Sequence, residues 1–238
     1  MTEILAIIPA RGGSKGIPKK NIRMVDGHPL ISYSIQAALE SKSINRIICS
    51  TDSKNIRNIA QKYGAEVPSL RPLELAQDNT SDLDTFYWLL NELKDKENYK
   101  PEIIVQLRPT SPIRLRGQID EAIELLINNQ AVDSVRSVTP AKATPYKMWK
   151  IKDKILYPLL ENNKLKEPYN MPRQQLPEVW WQTGTIDITR AKNIFSGTMT
   201  GKIIKPYIID AEHAVDIDQI ESLDEAERII KSINCIKP

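Results

Sequence analysis

The sequence predicts an α/β fold with a Rossmann-like, doubly wound, mostly parallel sheet and a small inserted subdomain. Three observations lead there. Short apolar runs alternate with amphipathic helical patterns along most of the chain. A loop rich in glycine and cations follows the first apolar run, at the place where such sheets bind ligands. The alternation is broken once, over 139–182, by a proline-rich stretch with no helical period. The expected organisation is a single domain, 1–238, with 139–182 inserted as an extended arm.

The elements follow in order. Ile4-Leu5-Ala6-Ile7-Ile8, bounded by Pro9, reads as a central strand covered on both faces. Pro29 suits the first turn of a helix with Leu30, Ile31, Ile35, Ala38 and Leu39 on one face. Ile47-Ile48-Cys49 is a second buried strand. Asp52 or Ser53 caps the next helix (Ile56, Ile59, Ala60, Tyr63), and Gly64 stands where it should stop. A third helix carries Leu83, Phe86, Tyr87, Leu90 and Leu93. The strand Ile103-Ile104-Val105 follows, then a fourth helix with Ile119, Ala122, Ile123 and Leu126. In the proline-rich stretch, short β-like pieces surround Trp149 and Ile155. The regular pattern resumes from Thr185, with a strand at 203–209 and a last helix beginning near Gln219.

Composition narrows the function. Among 238 residues there are 33 basic and 30 acidic ones, a net charge of +3, too weak to argue for nucleic acid. The apolar runs are only a few residues long, which excludes a helical membrane span. Cys49 and Cys235 are the only cysteines, so neither a disulfide framework nor a four-cysteine zinc site is available. The first residues carry no basic region before the strand, so no signal peptide is expected. A reducing, cytoplasmic setting is the expectation. His28 and His213 have no metal-ligand partner at useful spacing, and Cys49, inside an apolar strand, reads as inert core.

Charge is concentrated at one spot. From Arg11 to Arg23 there are five basic residues and no acid, and three of the nine glycines, Gly12, Gly13 and Gly16, lie in the same stretch. Glycines let the backbone approach an anion and present successive N–H groups to it. Arg11, Lys15 and Lys20 add charge-assisted hydrogen bonds for phosphate oxygens. The spacing fits neither the Walker A loop nor the dinucleotide glycine fingerprint. A phosphate-binding turn of another kind is expected. Further along, Asp216 and Asp218 alternate along an extended segment, which places both carboxylates on one side.

Ile8-Pro9-Ala10-Arg11-Gly12-Gly13-Ser14-Lys15-Gly16 with Lys20-Asn21 resembles the signature of the acylneuraminate cytidylyltransferases, the CMP-sialic acid synthetases. The resemblance continues, in order, through Ser50-Thr51-Asp52, Tyr63-Gly64-Ala65-Glu66-Val67 and Arg71-Pro72-Leu73-Glu74-Leu75-Ala76. It recurs at Arg108-Pro109-Thr110-Ser111-Pro112-Ile113-Arg114, Pro172-Arg173-Gln174-Gln175-Leu176-Pro177 and Asp216-Ile217-Asp218. It implies transfer of CMP from CTP to a sialic-acid-like nonulosonate, with release of pyrophosphate. It further implies that Arg11, Gly12, Gly13, Ser14, Lys15 and Lys20 hold the nucleotide's phosphates and that Asn21, Arg71 and the residue at Asp82 fix the nucleoside. Arg108, Lys147, Arg173 and Gln182 would meet the acidic sugar, with Arg11, Lys20 and Arg173 nearest the chemistry, and Asp216 and Asp218 would hold Mg²⁺. Two hard oxygen ligands suit that ion, which takes the rest of its shell from water and phosphate. In the family the inserted arm is a dimerisation subdomain that lends residues to the site, so a homodimer is implied.

The chain departs from the family pattern at three places. Arg108 replaces a glutamine, Asp82 replaces a serine near the base, and Thr183-Gly184-Thr185-Ile186-Asp187 replaces Asn-Gly-Ala-Ile-Tyr. An arginine upstream of Pro172 is also replaced, leaving Lys164 and Lys166 as the nearby cations. A carboxylate at 82 can accept from cytosine or take two donors from guanine. The readings beside the leading one are therefore a transferase using GTP or a sugar phosphate acceptor, and a nucleotide-binding protein without turnover.

Overall fold

In the computed structural model, which describes residues 2–161 and 165–238, six strands form one twisted sheet in the order β10-β6-β9-β5-β1-β4. Chain order gives β1 (Ile4–Pro9), a two-stranded ribbon β2 (Met24–Val25) and β3 (His28–Pro29), α1 (Leu30–Glu40), β4 (Arg46–Ser50) and α2 (Lys54–Lys62). Then come α3 (Asp82–Glu97), β5 (Ile103–Gln106), α4 (Gln118–Ile127) and β6 (Ser134–Pro140). A hairpin of β7 (Trp149–Lys152) and β8 (Ile155–Pro158) precedes β9 (Trp180–Arg190), α5 (Ala191–Phe195), β10 (Ile204–Ile208) and α6 (Ile220–Ser232).

The sheet is mostly parallel, as the alternation of elements predicts: β1 pairs in parallel with β4 and β5, and β6 with β10. The exception is β9, antiparallel to both β5 and β6. Connectivity explains it. β6 runs out of the sheet after Pro140 into the hairpin segment, and the chain re-enters at Trp180, opposite Pro140. A strand that returns at the edge where its predecessor left must run the other way. Neither β6 nor the N-terminal part of β9 is visible in the sequence pattern, because both lie at the ends of the proline-rich interruption.

Period-two alternation splits the core. Ile4, Ala6 and Ile8 pack with α1, α2 and α4 on one face, while Leu5 and Ile7 join Phe86, Leu89, Leu90 and Leu93 of α3 on the other. Two residues assigned to helix faces lie outside this core. Leu39, next to last in α1, is 49% exposed, and Tyr87 points outward to meet the ring of Phe195. Between the two cap candidates for α2, the Ser53 side chain accepts from the Ile56 N–H, which leaves Asp52 free for another role. Cys49 is fully buried, and burial pushes its thiol up to about 12, in keeping with an inert core residue. Lys164 lies outside the described residues.

A third cluster positions the site. Ile17, from the glycine-rich loop, is fully buried with Leu30, Tyr33, Val215, Ile217 and Leu223. This ties the loop after β1 to the segment just before α6. Beneath the loop after β5, Arg114 is wholly buried: Nε donates to Thr185 O at 2.9 Å, Nη1 to Ser34 Oγ at 3.1 Å and Nη2 to Arg108 O at 3.1 Å. Desolvation pulls its pKa down to about 9, an effect the charge of Asp187 opposes. Among the described residues no helix is long and apolar enough to cross a membrane.

Arg114→Met keeps the length of the side chain but removes a donor from Thr185 O, Ser34 Oγ and Arg108 O, the last of which keeps Ser34 Oγ and the Ser111 N–H. Urea denaturation is expected to show a loss of about 2–4 kcal/mol, from three lost charge-assisted hydrogen bonds and a buried acceptor left without its side-chain donor.

Candidate active site

The loop between β1 and the short helical turn Lys20–Ile22 forms one wall of a cleft of about 280 Å³ at the C-terminal ends of β1 and β5. Arg11, Gly13, Ser14, Lys20 and Asn21 line that wall, and Arg71, Asp82, Arg108 and Thr110 line the rest. Eight of the residues picked from sequence therefore meet in one cleft. Gly12 is adjacent but serves the loop itself. Its N–H donates to Asp52 Oδ1 at 2.7 Å, and a Cβ there would stand 3.0 Å from that of Ser53. Asn21 likewise holds the loop, donating from Nδ2 to Arg11 O at 2.9 Å. Arg71 is buried against β4, with Nη2 on Ser50 O at 2.7 Å, and burial lowers its pKa.

Two contacts bind this loop to the acidic segment. A Cβ on Gly16 would lie 2.5 Å from the carbonyl oxygen of Asp218, so only glycine allows the backbones to approach so closely. Lys20 Nζ donates to Ile217 O at 2.8 Å. Ile217 is buried while Asp216 and Asp218 are exposed, so the two carboxylates share a side, as alternation predicts. Burial lowers the pKa of the Lys20 ammonium, and the charges of Asp216 and Asp218 act against that.

The carboxylate pair opens onto a larger groove, about 860 Å³, lined also by Lys142, Trp181, His213 and Arg228. No third acidic, histidine or cysteine side chain completes a ligand cluster among the described residues. Two exposed carboxylates beside a cationic cleft suit a hard ion that fills its shell with water and phosphate oxygens, which is the behaviour of Mg²⁺.

Asp78 emerges only from the structure. Its carboxylate pairs with Arg11 Nη1 at 2.7 Å and also with Lys15. Hydrogen bonds from Lys15 and Arg11 hold its pKa below the ordinary carboxylate value. The two loop cations thus hold an anionic group already, in the form of the chain's own side chain. No sequence motif marks Asp78, because its partners lie more than sixty positions away. The contacts of Asp52 with Gly12, of Arg114 with Thr185 and Ser34, and of Gln106 with Asp82 are likewise absent from any sequence motif, since each is a long-range hydrogen bond.

Other residues lie apart from the cleft. Arg173 is exposed and donates from Nη2 to Ala141 O at 2.8 Å, lining a separate concavity with Thr144, Leu176 and Trp180. Lys147 is exposed at the end of a helical turn at the arm's root. Gln182 Nε2 donates to Asp187 Oδ2 at 3.1 Å. Within one chain, Arg173 and Lys147 do not reach the cleft.

Comparison with known proteins places this arrangement. A cytidylyltransferase family model matches residues 5–177. The CMP-N,N'-diacetyllegionaminic acid synthase of Legionella pneumophila is 42% identical over 142 residues, which is 60% of this chain and 60% of that protein. The Campylobacter jejuni protein of the same name is 35% identical over 226 residues, covering 92% of this chain and 91% of its own. In fold, the chain is similar to a CMP:2-keto-3-deoxy-manno-octonic acid synthetase complexed with CTP. That match has a TM-score of 0.72 and 14% identity, over 97% of this chain and 99% of the other.

Asp78→Asn is expected to bind pyrophosphate a few-fold more tightly than the wild type in calorimetric titration, since the competing carboxylate charge is removed. Unchanged affinity would show that Asp78 does not compete for the loop cations.

Proposed function

The chain belongs to the cytidylyltransferase family, and from that premise we propose that it transfers CMP from CTP to a sialic-acid-like nonulosonate, releasing pyrophosphate. What carries this reading is the direct docking of the cationic loop onto the acidic segment, through Gly16 against Asp218 and Lys20 on Ile217. The cations proposed for a triphosphate and the carboxylates proposed for a divalent ion are thereby neighbours.

The residues divide the work. Arg11, Lys15 and Lys20 neutralise the triphosphate, and the backbone of Gly13 and Ser14 borders it. Asp52 and Asn21 keep the loop in shape by holding Gly12 N–H and Arg11 O. Arg71 and Asp82 border the nucleoside end, and Asp216 and Asp218 would hold Mg²⁺. Held there, such an ion would supply Lewis-acid polarisation of a phosphate and acidify a hydroxyl beside it. The chain's own contribution is positioning and charge neutralisation, which is most of what phosphoryl-type transfer requires.

The protein would act as a homodimer in the cytoplasm. The β7–β8 hairpin supports the first part. Trp149, Ile151, Ile155, Leu156 and Tyr157 are all at least 40% exposed, and a lone two-stranded hairpin is marginal without cover. A second copy of the chain covering it would bring the arm that carries Lys147 and Arg173 to a neighbouring cleft. Two buried, unpaired cysteines agree with a reducing compartment.

Pyrophosphate release in Mg²⁺, with CTP, GTP, UTP and ATP each paired with nonulosonic acids and sugar 1-phosphates, tests the reaction. CTP with a nonulosonate is the expected productive pair. Release only with GTP or a sugar phosphate would reassign the substrates, and tight nucleotide binding without release would leave a binding protein. Asp216→Asn and Asp218→Asn should each lower kcat by orders of magnitude with the melting temperature preserved. Normal rates in both would remove them as ligands. Ile151→Glu with Leu156→Glu should convert a dimer to a monomer in sedimentation velocity, and an unchanged assembly would place the interface elsewhere.

A further inference from the structure

Gln106, Asp187 and Arg136 stand side by side on three adjacent strands. Asp187 of β9 is in register with Gln106 of β5 on one side and with Arg136 of β6 on the other. Facing residues of neighbouring strands point the same way, about 5 Å apart. The row therefore shares one face of the sheet, the face that α3 covers with Phe86. Gln106 and Asp187 are 2% and 6% exposed, so water outside the protein does not reach them.

Part of the row's hydrogen bonding is met by protein. Gln106 Nε2 donates to Asp82 Oδ2 at 2.8 Å, and Gln182 Nε2 donates to Asp187 Oδ2 at 3.1 Å. That same oxygen of Asp187 lies 3.9 Å from Arg136 Nη1 and from Arg108 Nη2. Three buried atoms have no partner among the described residues: Gln106 Oε1, Asp187 Oδ1 and Arg136 Nε. Turning the Gln106 amide over brings no relief, since Oε1 would then face the Asp82 carboxylate. Unpaired buried polar atoms are costly, and native structures leave few of them.

All three residues line one small cavity of about 10 Å³, with Phe86, Ile104 and Met199 as its apolar wall. That volume is at the lower bound for a single water molecule and too small for a larger ligand. The chemistry of the three atoms selects the same occupant. Gln106 Oε1 and Asp187 Oδ1 accept, whereas Arg136 Nε donates. What satisfies them must supply two hydrogens and one lone pair. Water does. A cation offers Arg136 Nε no acceptor, and a halide offers the two oxygens no hydrogen.

We infer that one buried water molecule occupies this cavity and bridges Gln106 Oε1, Asp187 Oδ1 and Arg136 Nε. It links β5, β9 and β6 at the place where the antiparallel strand is inserted into the sheet. It also keeps the Gln106 amide turned with Nε2 towards Asp82, which lines the cleft. The inference is independent of the transferase reading.

A crystal structure of the wild type that resolves ordered solvent is the direct test. One peak is expected within about 2.7–3.2 Å of all three atoms. An empty cavity, or Arg136 Nε closing directly on Asp187 Oδ1, overturns the inference. Oxygen-17 relaxation dispersion tests it in solution by counting water molecules of long residence. Gln106→Met combined with Arg136→Met and Asp187→Leu strips the row of polar groups and removes one charge of each sign. The wild type should hold one more long-lived water than this triple variant, and an equal count overturns the inference. The crystallographic result needs the wild type alone, so it decides the matter even where the triple variant does not fold.

Discussion

The site depends on one contact between distant parts of the chain, the seating of the glycine-rich loop on the segment before α6. Ile17 is driven into the same apolar cluster as Val215 and Ile217, and that burial holds the two backbones together. Gly16 permits the approach because any side chain would meet the carbonyl of Asp218. Lys20 then reaches Ile217 O between two exposed carboxylates. Hydrophobic burial at one residue thus sets the spacing of charges at its neighbours. Without it, the cationic loop and the acidic pair would be two unrelated surface features.

A second device works at shorter range. The loop is cationic, so its shape must survive the repulsion among its own side chains. Asp52 takes the Gly12 N–H, Asn21 takes the Arg11 carbonyl, and Asp78 pairs with Arg11 and Lys15. The first two contacts act on backbone and are compatible with a bound anion. The third occupies the side chains of the cations themselves. The loop is in this way held in shape, and part of its charge is offset, by the chain's own side chains.

The sheet also shows how a departure from pattern becomes intelligible once its partners are known. Read along the chain, Arg108, Asp82 and Asp187 are three separate anomalies, each placing a charge where a neutral residue is usual. In space they compensate one another, with Arg136 as the fourth charge. Register makes this possible: Asp187 pairs with Gln106 on one side and with Arg136 on the other. The antiparallel insertion of β9 between β5 and β6 is therefore what assembles the network.

Much of the molecule was legible in its sequence for local reasons. The apolar run of β1, the helical period of α3 and the density of glycine and cation between Arg11 and Arg23 are properties of neighbouring residues, and propensity and periodicity report them directly. The same holds for Asp216 and Asp218, whose shared side follows from the geometry of an extended chain. Tertiary structure alone decided the direction of β9, the burial of Arg114, the roles of Asp52 and Asp78, and the pairing of Asp82 with Arg108. Each depends on a partner more than twenty residues away, and no periodicity encodes where such a partner will lie. Local chemistry named the groups, and long-range packing set which of them meet.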